Sequence, residues 1–309
     1  MGSEVRHTVV FADGEGGGNP CPVVFGADDW STERMRAAAA ELGHETCFVL
    51  EPESGADVRL RYFVPNHEME MCVHATVAAT VLLAAEGRAP ERVQTPLGVR
   101  RVWLEDGDRA LVEQFPPELG APVEDPSAVL AALGARPEDL AREIGPIQPV
   151  STARAKLLVP LASEAALDAL TPDFETLWAL CDALGVTGLY PFTLDARGAD
   201  AAARQFPLRA GYDEDPATGV AACGLGAYLA HHHQSADGWH RTTIAQGRAM
   251  GRPSLIEAHA YREDGRVTAT RVGGAAAAAY AAAANRSDAP APLAIPPSAC
   301  SPARPIQPS

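Results

Sequence analysis

Two segments of this 309-residue chain are apolar on every face, and that restricts its folds more than any other feature does. One runs from His74 through ATVAATVLLAAEG and the other from Asp215 through PATGVAACGLGAYLA. A helix without a polar side cannot lie on a surface, so each segment must be enclosed by other chain. Neither approaches the roughly 18 apolar residues of a bilayer span, which points to enclosure by protein and to no membrane partner. The segments also resemble each other. Ala75 to Ala79 can be laid against Ala217 and Thr218 and then, skipping Gly219, against Val220 to Ala222. Two halves of similar build follow, each a helix wrapped by curved sheet, with the chemistry in the cleft between them.

The flanking sequence supplies the sheet. Ser31 or Thr32 can cap a helix over 32–42, where Met35, Ala38, Ala39 and Leu42 fall at helical spacing before Gly43. His44 to Leu50 reads as a strand, and Val58, Leu60 and Tyr62 alternate with Arg59, Arg61 and Phe63 as a half-buried strand does. Val99–Glu105 and Ala110–Phe115 flank Asp106-Gly107-Asp108, the signature of a hairpin, so antiparallel pairing is expected. Helix-like runs return at 128–133 and 174–184. The boundary between an N-terminal domain (1–125) and a C-terminal domain (126–285) is placed near residue 125, and 286–309 reads as a flexible Pro/Ala-rich tail.

Charge and cysteine usage exclude several functions. Forty acidic against 25 basic side chains leave a formal charge of −15, which repels a polyphosphate, so no nucleic-acid partner is expected. The N-terminus lacks the basic start and apolar core of an export signal, which places the protein in the cytoplasm. The six cysteines form no CxxC pair, against a zinc site or disulfide framework, and read as mostly buried thiols. Lys156 is the sole lysine, so Schiff-base chemistry has one candidate, set in an apolar strand-like run, and it is set aside. Gly14 to Pro20 leads into a strand rather than a helix and makes no phosphate loop; no nucleotide or other cofactor is expected. The consecutive His231, His232 and His233 point in different directions on a helix and cannot chelate one ion together, so no metal is expected there.

Three residues stand out as candidate chemistry. Asp215 with Pro216 has the form of a helix start, the carboxylate serving free N–H groups and the proline fixing φ in the first turn, so a simple cap is a full alternative to catalysis. His74 at the other helix start is held neutral by the helix dipole. If the two starts face one another, His74 and Asp215 meet across one cleft, and two sets of unpaired N–H groups converge on a site for a small carboxylate. Glu45, at the helix-to-strand junction HETCF, is the third candidate; its alternative is a solvated edge carboxylate.

The runs GNPCPVVF (18–25), ELGHETCFV (41–49), LRYFVPNHEMEMCVHAT (60–76), ARQFPLRAGYDEDPATGVAA (203–222), QGRAMGRPS (246–254) and VGG (272–274) resemble the phenazine-biosynthesis isomerase-like family in order and spacing over about residues 8–280. The resemblance implies an α+β, diaminopimelate-epimerase-like fold of two similar domains, each a barrel-like, mostly antiparallel sheet around a central helix. It also implies a homodimer and a cofactor-independent isomerase. Its best-known activity moves a proton within trans-2,3-dihydro-3-hydroxyanthranilate. The family's catalytic glutamate matches Glu45, its histidine His74 and its aspartate Asp215. Val73, Thr218, Gly219 and Val220 fall where substrate is bound, with N–H groups near Val73 and Gly219 holding its carboxylate. Glu45 then acts as base and as acid, which calls for a desolvated carboxyl. The chain departs from the family pattern at Val73, where glycine is usual, and at Val220, where a polar residue is common. Rival readings are isomerisation or C–C hydrolysis of a pyrroline-type dienyl acid, a two-base racemase built on Cys72, for which Cys223 is the poorly placed second thiol, and an inactive scaffold.

Overall fold

Short-range signals place the elements of the computed structural model, which describes residues 3–53 and 55–278. The first half contains β1 (Glu4–Val10), β2 (Asn19–Phe25), α1 (Thr32–Leu42), β3 (Thr46–Leu50), β4 (Val58–Phe63), β5 (Glu68–Met69), α2 (Val73–Ala85), β6 (Arg92–Thr95), β7 (Gly98–Glu105) and β8 (Arg109–Gln114). After β9 (Glu118–Leu119) and α3 (Ser127–Leu133) come β10 (Gln148–Ser151), β11 (Lys156–Pro160), α4 (Glu164–Asp168), α5 (Phe174–Leu184), β12 (Gly188–Thr193) and β13 (Ala201–Ala203). The last elements are β14 (Phe206–Pro207), α6 (Gly219–His233), β15 (Gly238–Gln246), β16 (Ser254–Glu263) and β17 (Arg266–Ala278). Ser31 caps α1 by accepting the Arg34 N–H, and Gly43 ends it in the left-handed region at φ 70°. The strand foreseen from His44 begins two residues later, at Thr46.

The strand directions repeat. In the first half β1/β2 is antiparallel, β2/β3 parallel, β3/β4 antiparallel, β4/β6 parallel and β6/β7 antiparallel. The pairs β10/β11, β11/β12, β12/β13, β13/β15 and β15/β16 follow the same succession. Each parallel pair encloses one or more helices in its connection, because parallel neighbours cannot be joined by a tight turn. The last strand of each half closes the barrel of the other. β17 pairs with β8 and with β1, completing a ring of eight strands in the order β1, β2, β3, β4, β6, β7, β8, β17. Reciprocally, the chain leaving β8 pairs with β10 through β9, and the Phe115 N–H donates to the Thr152 carbonyl. The α+β fold is thus the diaminopimelate-epimerase-like one, mostly antiparallel and with a helix at the centre of each half.

Those central helices are α2 and α6. Every residue from Val73 to Leu83 is buried, as are Gly219 and Ala221 to Ala230. The glycines and alanines of α6 let the sheet approach: a Cβ on Gly226 would stand 2.6 Å from the Ala258 Cβ of β16. Outside the sheets, α1 packs Met35 and Ala39 on Phe48 and Phe63, so Phe63 is buried although its neighbours in the alternation are half-exposed. α3 and α5 cover Leu157, Val159 and Leu189 in the same way. The segment 286–309, with Cys300, lies outside the described residues. No helix among them is long and apolar enough to cross a membrane.

Candidate active site

Both central helices begin at one cleft. α2 starts at Val73, with Cys72 as its N-cap residue. α6 starts at Gly219, four residues beyond Asp215, with Thr218 at the cap position. The reading of Asp215-Pro216 as the helix start is therefore corrected. The Asp215 carboxylate is satisfied within a tight turn, accepting from the Thr218 hydroxyl (2.5 Å) and the Ala217 N–H (3.5 Å). The Thr218 N–H is drawn away to Gln246 Oε1 at 3.2 Å. The first N–H groups of each helix have no acceptor in their own helix. Val73, His74, Thr218, Gly219 and Val220 all line one cavity of about 160 Å³, together with Glu45 and Asp215.

Glu45 sits at the last turn before β3 and its side chain is 18% exposed, so it is not a solvated edge carboxylate. It accepts from Tyr212 Oη–H at 2.9 Å on Oε1 and from the Cys72 thiol at 3.3 Å on Oε2, and His74 Nδ1 lies 3.5 Å from Oε2. His74 Nδ1 is also 3.2 Å from Cys72 Sγ. Burial lowers the His74 pKa, against the opposing charge of Glu45, so the ring is neutral. Burial pushes the Cys72 thiol well above its ordinary range. Ligand atoms of Glu45, Cys72 and His74 lie within 4.8 Å of one another, a spacing that could hold a metal ion once the thiol had lost its proton.

Asp215 faces Glu45 from the other half. Asn19 of β2 donates to its Oδ1 at 3.0 Å and to the Ala217 carbonyl at 3.1 Å, tying the first half to the α6 start. Gln246 donates to the Asp215 carbonyl at 2.7 Å. Only 9% exposed, Asp215 has its pKa raised from 3.8 to about 7, first by burial and next by the charge of Glu45. A carboxyl that holds its proton to near neutrality can donate a hydrogen bond where a carboxylate can only accept.

Val73 and Gly219 explain how close the helix starts come. A Cβ on Gly219 would stand 2.5 Å from the Val73 Cβ, so the valine side chain occupies the space over that glycine. The apolar bulk read from the sequence at Val73 is thus inserted between the two helix starts. Val220 is half-buried at the same wall.

Asn19, Tyr212, Gln246 and Cys72 belong to the site, yet the residue-by-residue reading gave the first three no role and Cys72 only a place in the racemase reading. Their signal was present in the GNP, YDEDPATG and QGR runs, but a polar residue in a motif does not say what it touches. The thiol pair needed by the two-base reading is not assembled: Cys223 is buried inside α6, beside Thr152 and Thr270, and does not line the cleft. His232 and His233 are engaged separately, with Gln148 Oε1 (3.2 Å) and the Ile144 carbonyl (2.6 Å).

Known proteins match nearly the whole molecule. Residues 8–282 match the family model described as phenazine biosynthesis-like protein. The uncharacterized isomerase YddE of Escherichia coli is 36% identical over 83% of this chain and 90% of its own length. The trans-2,3-dihydro-3-hydroxyanthranilate isomerase of Pseudomonas aeruginosa is 34% identical over 88% of this chain and 96% of that protein. Among solved structures, the PhzF-family phenazine biosynthesis protein of Bacillus anthracis superposes with a TM-score of 0.81 at 25% identity, covering 90% of this chain and 97% of that one.

Proposed function

This chain belongs to the phenazine biosynthesis-like family and is an isomerase, and on that premise we propose that it moves a proton within a small cyclic or dienyl carboxylate of specialised metabolism. The observation that carries the reading is the Glu45 carboxylate, held between Cys72, His74 and Tyr212 and facing Asp215 where two helix starts converge. Glu45 takes a proton from one carbon of a conjugated system, breaking that C–H bond while the electrons shift along the double bonds. It then delivers the proton to another carbon, so atoms and electrons balance without a redox partner. The substrate carboxylate lies at the first-turn N–H groups of α2 and α6, where helix dipoles favour an anion. Neutral His74 and Asp215 orient the remaining polar groups. The small acid turned over by the Pseudomonas relative has this chemistry, and the bulk of Val73 between the helix starts favours a substrate of altered shape.

The test is a panel of conjugated cyclic amino and hydroxy acids, with trans-2,3-dihydro-3-hydroxyanthranilate included, followed by ultraviolet absorbance and product mass. The expected product is an isomer of unchanged mass, and Glu45→Gln should lower turnover roughly 10²- to 10⁴-fold, the usual worth of a positioned acid–base group. A gain of one water would point to the hydrolytic alternative, and undiminished turnover in Glu45→Gln would refute the role of Glu45.

A further inference from the structure

The cleft has a second polar wall that the proton transfer does not use. Lys156 opens β11, Thr187 immediately precedes the adjacent β12, which Gly188 opens, and Gln205 lies between β13 and β14; Arg154 precedes Lys156 in the loop from β10. Arg154, Lys156, Thr187 and Gln205 line the same cavity as Glu45 and Asp215.

Three independent features show this wall is incomplete as it stands. Lys156 is buried, 6% exposed, and its Nζ donates to the Thr187 carbonyl at 2.9 Å; as an ammonium group it has two further N–H donors with no acceptor among the described residues. Neither Lys156 nor Arg154 has a carboxylate within 4.0 Å among the described residues, in a chain carrying 40 acidic side chains against 25 basic ones. Gln205 is 1% exposed, and its amide nitrogen and oxygen are buried with no hydrogen-bond partner among the described residues. Buried polar groups are nearly always paired, and here unpaired ones share a cavity wall with two cations. The ammonium group is also the only lysine of the chain; every other cation is arginine or histidine. Burial and then the charge of Arg154 bring the Lys156 pKa down to about 7, against the opposing charges of Asp215 and Glu45.

From this arrangement we infer that Arg154, Lys156 and Gln205 form a subsite for a second anionic group, so that the substrate is a dicarboxylate: one carboxylate lies at the helix starts, the other at the Lys156 wall, and the reacting carbons lie between them beside Glu45. The subsite is mechanically joined to the reaction centre, because the Gln205 carbonyl accepts the Asp215 N–H at 3.1 Å. The inference rests on the proposed function for the position of the first carboxylate, but not for the existence of the second subsite.

Binding of flat ring acids tests it without turnover. Benzoate, isophthalate and terephthalate are titrated calorimetrically into the full chain and into Lys156→Met and Arg154→Met, with thermal unfolding confirming that each variant is folded. Met matches the lysine stem in length and is tolerated in a buried place. At least one dicarboxylate is expected to bind roughly ten- to a hundredfold tighter than benzoate, the worth of a charge-assisted hydrogen bond. Lys156→Met should remove that advantage and leave benzoate unchanged; Arg154→Met should reduce it and serves alone if the first variant does not fold. Equal binding of all three acids, or a dicarboxylate advantage that survives both substitutions, would overturn the subsite. The isomerase reading is judged separately by Glu45→Gln, so the two can fail independently.

Discussion

Replacing Asp215 by Asn should stabilise the protein above about pH 4, and most fully above pH 7. Asp215 is buried beside another carboxyl, and its pKa rises from 3.8 to about 7. Between those values the folded protein still holds the proton that the unfolded chain has released. Stability contributed by that proton is therefore lost as pH rises through the window, and the full loss is reached above pH 7. A rise from 3.8 to about 7 corresponds to about 4 kcal/mol. Asn is isosteric and uncharged and can keep the Asn19 hydrogen bond at its oxygen while donating to Thr218. Urea denaturation of parent and Asp215→Asn at pH 5 and pH 8 reads the effect. The advantage of the variant should be near zero below pH 4 and grow by about 3 kcal/mol between pH 5 and pH 8, while turnover falls. A difference independent of pH, or a variant less stable than the parent at pH 8, would refute the argument that Asp215 is strained by burial of its charge.

Two further outcomes test the architecture. Gly219→Ala forces a Cβ to within 2.5 Å of the Val73 Cβ and should cost about 1–3 kcal/mol of stability by thermal unfolding. Val73→Gly in the same chain should recover much of it, and a double variant no better than Gly219→Ala would sink the close-approach account. Glu257 of β16 is 4% exposed and bridges Arg109 of β8 and Arg241 of β15. Glu257→Ala leaves two cations over a buried gap; because both arginines are partly exposed, the loss by urea denaturation should sit near the low end for a broken buried pair, about 3 kcal/mol.

Elements with a local cause were legible in the order of residues alone. Helix 32–42 with its serine cap and left-handed glycine, the 99–115 hairpin and the enclosure of two helices were all legible, because periodicity, capping and a lack of polar faces are properties of neighbouring residues. The resemblance brought Glu45, His74 and Asp215 to one place, and the structure does gather them there. The remaining features have a through-space cause. Asp215-Pro216 carries a helix-start signal, yet α6 waits until Gly219: Thr218 is extended, with its N–H on Gln246 from a strand that follows α6 in the chain. That each half lends its last strand to the barrel of the other depends on pairings between β17 and β1, whose partners lie 266 to 270 positions apart, a separation no local pattern encodes. The proton held by Asp215 and the open donors of Lys156 and Gln205 arise from burial, and burial is set by everything that surrounds a residue, not by the residue beside it in the chain.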